Sequence, residues 1–599
     1  MQKSFSFLLI FLFVAQYSFS QTITTKFEQS NGTQTPTYFE IIDWWKKLDE
    51  KSGKIKMLTI GMTDAGYPLH LIVVSNNGDY NFDNIRKNNK RVILINNGIH
   101  PGEPDGIDAS MLLVRDIVES SDNRKPSPPG RGEVSSLKNK SNGVGLPDNV
   151  VLAFVPIYNI GGCLNRSANY RVDQNGPEEF GFRGNSQNLD LNRDFIKCDS
   201  KEARALTEIF HLTDPDVFID NHVSNGADYQ HVMTLLTTQH NKLGGVMGEF
   251  LSKQFEPALY TSMKEKGYDL VPYVNSFGDT PENGWPEYWD SPRYTSGYAA
   301  LWQTFSFVPE THMLKPYEQR VKATYALMQS FIEFTANNSE EIKNLRSQTK
   351  KSVQSAIEFP ISWSLDKSQF KEVMYKGYEA GRKPSEVSGL PRLYYDRNKP
   401  FEKMVKIFNY FTVKNVITKP KAYIIPHGWW KVIDLLKLNK VHMTQLKKDT
   451  IIEVEVYKIE DYKTLPRQYE MHHLNSEVKV STSIQSVTFK KGDWFIPMNQ
   501  VANRFLIETL EPQAEDSYFA WNYFDAILGQ KEGYSAYAFE DIAADYLKTN
   551  PGLRAKLEQQ RTTDTAFAKN GRAQLNFVYQ NSHWYEPAHM KYPVYRIIK

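Results

Sequence analysis

Val92-Ile93-Leu94-Ile95-Asn96-Asn97-Gly98-Ile99-His100-Pro101-Gly102-Glu103 decides how this chain folds. Four apolar residues after Arg91 read as a short buried strand of a parallel sheet, closed by turn-forming Asn, Gly and Pro. His100 and Glu103 follow where that strand ends, at the carboxyl edge where open α/β sheets place their sites. A His and a carboxylate three positions apart in a Pro-Gly turn can aim at one point, a geometry suited to Zn²⁺. Alone, H-x-x-E reads equally well as a surface turn, so the neighbouring segments carry the decision.

Working outward, Thr37 to Leu48 has apolar residues at helical spacing, Lys56–Ile60 reads as a strand, and 61–69 turns into a second strand over His70–Ser75. A helix is expected from Gly106 to Val118, and a Ser-, Pro- and Gly-rich surface insertion over Asp122–Asp148. Val150–Ile157 is another apolar strand. The stretch from Asn165 to Asp194 is dense in Arg, Asn and Asp, with Arg183 and Asp190-Leu191-Asn192-Arg193 at its core. Lys201–His211 reads as a helix and Val217–His222 as a strand with His at its end. Trp302–Val308 reads as a further strand running into Glu310, and a helix over 316–335 follows. Strands alternating with helices indicate an α/β fold: a mixed, mostly parallel sheet with helices on both faces.

With 599 residues the chain is long enough for several domains. Its 71 Lys and Arg nearly balance 69 Asp and Glu, so no charge excess points to nucleic acid or an anionic membrane. Lys3, the apolar run Phe5–Val14 and the small-x-small Ser18-Phe19-Ser20 describe a cleavable secretory leader, too short for a membrane span. The expected location is secreted or periplasmic. Cys163 and Cys198 cannot form a disulfide framework; a single bridge and a buried free pair both stay open.

From Thr37 to Thr335 the chain resembles the carboxypeptidase A-type zinc metallocarboxypeptidases (funnelins), and in particular their large exported bacterial members. It shares the H-x-x-E, the N-R pair, a later His and a final Glu in that order, with an early G-x-T-x-x-G-x-P-L turn at 61–69. The resemblance implies that His100, Glu103 and His222 hold one Zn²⁺ per chain and leave a fourth position open. It implies Glu310 as general base, Arg183 beside the reacting carbonyl, and Asn192 and Arg193 on the substrate's terminal carboxylate. Asp190 would orient the ring of His100, although an Asx turn also suits it. Arg166 and Arg171 rival Arg183. A mobile tyrosine is expected from Tyr288, Tyr294 or Tyr298, with Tyr298 preferred and residues 290–298 as a flexible lid. Glu310 could instead be salt-bridged to Lys315 or Arg320.

The division expected is a leader over 1–20, a zinc carboxypeptidase domain over 21–340, and a C-terminal α/β and strand-rich accessory region over 341–599. In the last, strands are read at Ala356–Ser364, Lys421–Pro426 and Thr450–Tyr457, and a helix at Trp429–Leu438. Its aromatic blocks read as core more than as a ligand platform. His472-His473 lacks the acidic or Cys partners of a second metal site. There is no P-loop, G-x-G-x-x-G or nucleophile elbow. The function expected is a secreted zinc metallocarboxypeptidase acting on peptide or protein C-termini. An amidohydrolase, deacylase or cell-wall peptide hydrolase on the same scaffold is the alternative. A noncatalytic peptide-binding protein is a third reading, opposed by the retained ligands and Glu310.

Overall fold

A computed structural model describes residues 23–122 and 145–599. The leader expected at 1–20, and most of the insertion expected over 122–148, lie outside the described residues. A nine-stranded sheet organises the N-terminal half. Its strands are β1 (Ile55–Met62), β2 (Pro68–Val74), β3 (Arg91–Asn96), β4 (Val150–Val155), β5 (Val217–Asp220), β6 (His222–Ser224), β7 (Met233–Thr237), β8 (Val271–Pro272) and β9 (Phe305–His312). The spatial order is β1-β2-β4-β3-β5-β9-β7-β8, with β6 paired to β9. The centre β4-β3-β5-β9 is parallel; β1 and β2 run antiparallel to their neighbours, and β7 is antiparallel to β9 but parallel to β8. It is the mixed, mostly parallel sheet of the α/β reading.

Alternation along the strands builds two cores. Ile93, Ile95, Leu152, Phe154 and Ile219 face one side with helices α1 (Tyr38–Lys51), α2 (Asp105–Asp122) and, further along the chain, Tyr317–Asn337. Val92, Leu94, Val151, Ala153 and Phe218 face the other, against α3 (Lys201–Thr213). This second core runs on without a break through Tyr423, Leu436, Phe505 and Trp521. The C-terminal region therefore shares a core with the sheet and is not a tethered appendage.

Two local expectations change. Thr295–Leu301 is a fully buried helix, α4, and not a flexible lid. Trp302 to Thr304 is the connection after it, with Gln303 in the left-handed region at φ 54°, so the strand begins later than expected and carries on through Glu310 to His312. Pairing holds those last residues extended: Glu310 is the register partner of His222 on one side and of Thr234 on the other.

The C-terminal strands lie at Glu358–Leu365, Ala422–Ile425 and Thr450–Thr464, and the helix at Trp430–Leu438. Long hairpins over Lys371–Phe408 and Thr450–Phe489 and the helices between Ala536 and Gln580 add to what was read. Tyr518, Phe519, Trp521 and Phe524 are wholly buried, so this aromatic block is core. Cys163 and Cys198 are free and buried. No described helix is long and apolar enough to cross a membrane.

Candidate metal centre and cleft

His100 and Glu103 sit on a tight turn in which the Glu103 amide donates to the His100 carbonyl at 2.9 Å. Gly98 enters it with φ 65°, which only glycine adopts freely. At Gly102 an added Cβ would come within 2.8 Å of Arg171 Cδ. The close approach matters, because Arg171 reaches over that glycine to donate to Glu103 Oε1 at 2.7 Å.

His222 arrives from the neighbouring strand. Its Nδ1 lies 3.0 Å from Glu103 Oε2, which also accepts from the Val223 amide at 2.9 Å. His100 points its Nε2 away from the cleft, to Asp190 Oδ1 at 2.9 Å. Its Nδ1 stands 3.3 Å from Glu103 Oε1 without hydrogen-bond geometry and has no partner among the described residues. One ligand atom from each of His100, Glu103 and His222 lies within 4.8 Å of the others, and all three residues are buried. Among the described residues no other His/Cys/Asp/Glu group is so arranged.

The charges around this triplet are unbalanced. Burial would lower the His222 imidazole, but the carboxylates of Asp220, Glu103 and Glu310 outweigh it and hold it well above its ordinary value. Burial would raise Glu103, yet His100 and Arg171 keep it well below. Glu310 is pushed up to about 8, by burial first, with His222 opposing and the charge of Glu103 adding. Three carboxylates thus converge on one imidazole. Together with the unpartnered Nδ1 of His100, this donor set fits a bound divalent cation of the zinc type.

The triplet lies in a cleft of about 400 Å³ that Arg171, Arg183, Asn192, Arg193, Tyr288, Asp290, Tyr294 and Glu310 also line. Arg183 donates from Nε to Asp190 Oδ2 at 3.0 Å and remains 46% exposed. Arg171, by contrast, is spent on Glu103, the Val223 carbonyl and Gln174. Arg166 is not at the cleft: it binds the carbonyls of Thr35, Pro36 and Glu179. Asn192 carries a buried Oδ1 without a partner. Arg193 lies over the ring of Tyr294, 4.6 Å from its centroid. Burial raises the Asp190 carboxyl, but His100, Arg183 and Arg193 outweigh it and hold it far below the usual range. Neither Lys315 nor Arg320 pairs with Glu310; they bind the Tyr229 carbonyl, and Asp105 with the Met313 and Gly176 carbonyls, respectively.

Tyr298 is corrected. It faces the core between Phe195 and Phe210, and its hydroxyl donates to Asn439 Oδ1 at 2.7 Å. The helix that buries it leaves Tyr294, at its N-cap, as the residue turned to the cleft with Tyr288. Asp220, Asp290 and Phe277 were not singled out from the sequence. Only Asp220 had a signal, since it lies two residues before His222, on the same face of an extended segment. His472 does not ligate with His473; it binds Asp199 Oδ2 at 2.8 Å.

A family model described as zinc carboxypeptidase matches residues 41–229. No curated protein matches the chain. Among solved structures, a metallo-carboxypeptidase from Burkholderia cenocepacia is similar at 14% identity and TM-score 0.35, covering 50% of this chain and 69% of that one. One from Pseudomonas aeruginosa is similar at 12% identity and TM-score 0.35, covering 50% and 68%. Carboxypeptidase A of Helicoverpa armigera is similar at 12% and 0.34, covering 53% and 74%. Residues 41–229, about a third of the chain, thus match the zinc carboxypeptidase family, which indicates a metallocarboxypeptidase-type hydrolase.

Proposed function

We propose that this protein removes C-terminal residues from peptides at a single zinc site held by His100, Glu103 and His222, after export through the leader at 1–20. The observation that carries the reading is the convergence of those three side chains at strand ends, with Glu310 in register beside His222 at the cleft. When bound, the cation supplies Lewis acidity toward the substrate carbonyl and toward water.

The chain's own groups divide the remaining work. Glu310 takes the proton of the attacking water and returns it to the leaving amine. The burial that pushes its carboxyl up would be countered by a neighbouring cation, which suits a base acting near neutrality. Arg183, tethered through Nε yet open to the cleft, meets the charge that develops on the carbonyl oxygen. Arg193 and the unpartnered amide oxygen side of Asn192 receive the terminal carboxylate and the substrate's adjoining N–H. Tyr294, under the Arg193 guanidinium, closes that end. Asp190 fixes the tautomer of His100 so that Nδ1 would be free to hold the cation.

The test is an unbiased peptide library in which each sequence is offered with a free and with an amidated C-terminus. Stepwise release of C-terminal residues from the free forms alone is expected. Cleavage of both forms alike, or of cell-wall or N-acyl substrates only, would point to the amidohydrolase reading.

A further inference from the structure

Two pieces of the cleft wall are fastened from far along the chain. Asp190 already uses its carboxylate on His100, Arg183 and the Asn192 amide. Its own backbone N–H, the one group left, donates to Glu470 Oε2 at 2.9 Å across 280 residues. Opposite, Arg293 is clamped by Asp516: the backbone N–H donates to Oδ2 at 2.8 Å and Nε to Oδ1 at 2.8 Å. Asp516 is fully buried on its side-chain atoms and also accepts from Trp521 Nε1 at 3.1 Å. Arg193, whose backbone N–H donates to the Asp190 carbonyl at 3.0 Å, and Tyr294, the residue after Arg293, form the cation–π pair in the cleft.

The turn that carries Glu470 is held to its shape. Glu470 and Met471 both take left-handed backbone, at φ 48° and 69°, a costly arrangement for two successive non-glycine residues. On one side Tyr469 stacks on Trp521 at 6.2 Å and 27°, with the Arg293 guanidinium over both rings. On the other, His472 Nε2 pairs with Asp199, which also binds Lys197. Strain maintained by contacts on both flanks fits a segment whose position is used.

We propose that the C-terminal region is a working part of the active site, with Glu470 and Asp516 as positioning residues that set the Arg193–Tyr294 clamp opposite the metal ligands. Neither touches substrate; each acts through the backbone of a segment that does. The proposal rests on the carboxypeptidase reading for its kinetic consequence, but not for its structural one.

Full-length wild type, Glu470→Ala, Glu470→Gln and Asp516→Asn are compared by amide hydrogen exchange over 186–194 and 288–296, by zinc content, and by kcat and KM on a free-carboxylate peptide. Glu470→Ala should speed exchange in 186–194 and raise KM about tenfold, the equivalent of one charge-assisted hydrogen bond, with kcat and zinc content nearly unchanged. Glu470→Gln, which keeps an acceptor oxygen, should restore both, and Asp516→Asn should loosen 288–296. Unchanged exchange and KM in Glu470→Ala, or a Gln variant as impaired as Ala, would overturn the proposal. A wild type with no C-terminal activity would remove the functional reading, and exchange alone would then decide whether the two anchors hold the cleft.

Discussion

Asp190 Oδ1 takes the hydrogen bond of His100 Nε2 at 2.9 Å, and that one contact turns the other ring nitrogen toward Glu103. A histidine oriented in this way binds metal without first paying for its own rotation. Asp190→Ala should therefore weaken zinc binding about 10- to 100-fold while leaving the ligands themselves in place. Competition titration with a chromophoric chelator measures it; unaltered affinity would show that the ring is oriented by packing alone.

Glu310→Gln removes the base and keeps the shape. At the register position beside His222, the amide should leave zinc content intact and lower kcat by about 10²- to 10⁴-fold. Steady-state kinetics on a free-carboxylate peptide, with metal analysis of the same sample, checks both halves. A fully active variant would assign the proton transfer elsewhere.

Arg193→Ala bears on substrate choice. Loss of the guanidinium over Tyr294 should cost about 10- to 100-fold in kcat/KM on free C-termini, the range of a charge-assisted pair, and little on amidated ones. The ratio between the two substrate forms is the reading. If it does not fall, the carboxylate is held by another group.

A stability prediction concerns Asp108, buried on α2. Burial first, helped by Asp105, pushes its carboxyl up to about 7 against hydrogen bonds from Tyr317 and from the Thr35 hydroxyl at 2.7 Å. The folded value is above the unfolded one, so the folded protein keeps a proton that the unfolded chain releases. The stability from this group is whole below about pH 4 and is lost as pH rises to about 7, on the order of 4 kcal/mol in all. Asp108→Asn cannot ionise. Its melting temperature should fall less between pH 5 and pH 8 than that of wild type, and parallel curves would contradict the assignment.

The sheet and the cluster of His100, Glu103 and His222 were legible because both obey local rules. Short, mostly apolar runs announce strand ends, and they precede each residue: 92–95 before His100 and Glu103, 217–219 before His222, and 305–308 before Glu310. The misreadings lie where tertiary contacts outvote the local pattern. Thr295-Ser296-Gly297 reads as a loop, yet the helix there is fully buried and carries Tyr298 into the core. The strand of Glu310 extends past Pro309 because pairing on both sides holds it, which its own residues do not foretell. The hairpins over 371–408 and 450–489 expose Lys and Glu on much of both faces, so no apolar alternation marks their full length. Glu470 could not have been found at all, since the hydrogen bond that links it to the cleft spans 280 residues.

The most direct measurement is zinc stoichiometry after exhaustive dialysis, in wild type and in His222→Ala. One ion per chain in wild type and none retained by the variant is the predicted result. Retention of a full equivalent by His222→Ala, or a wild type that takes up no zinc, would contradict the three-ligand centre on which the account is built.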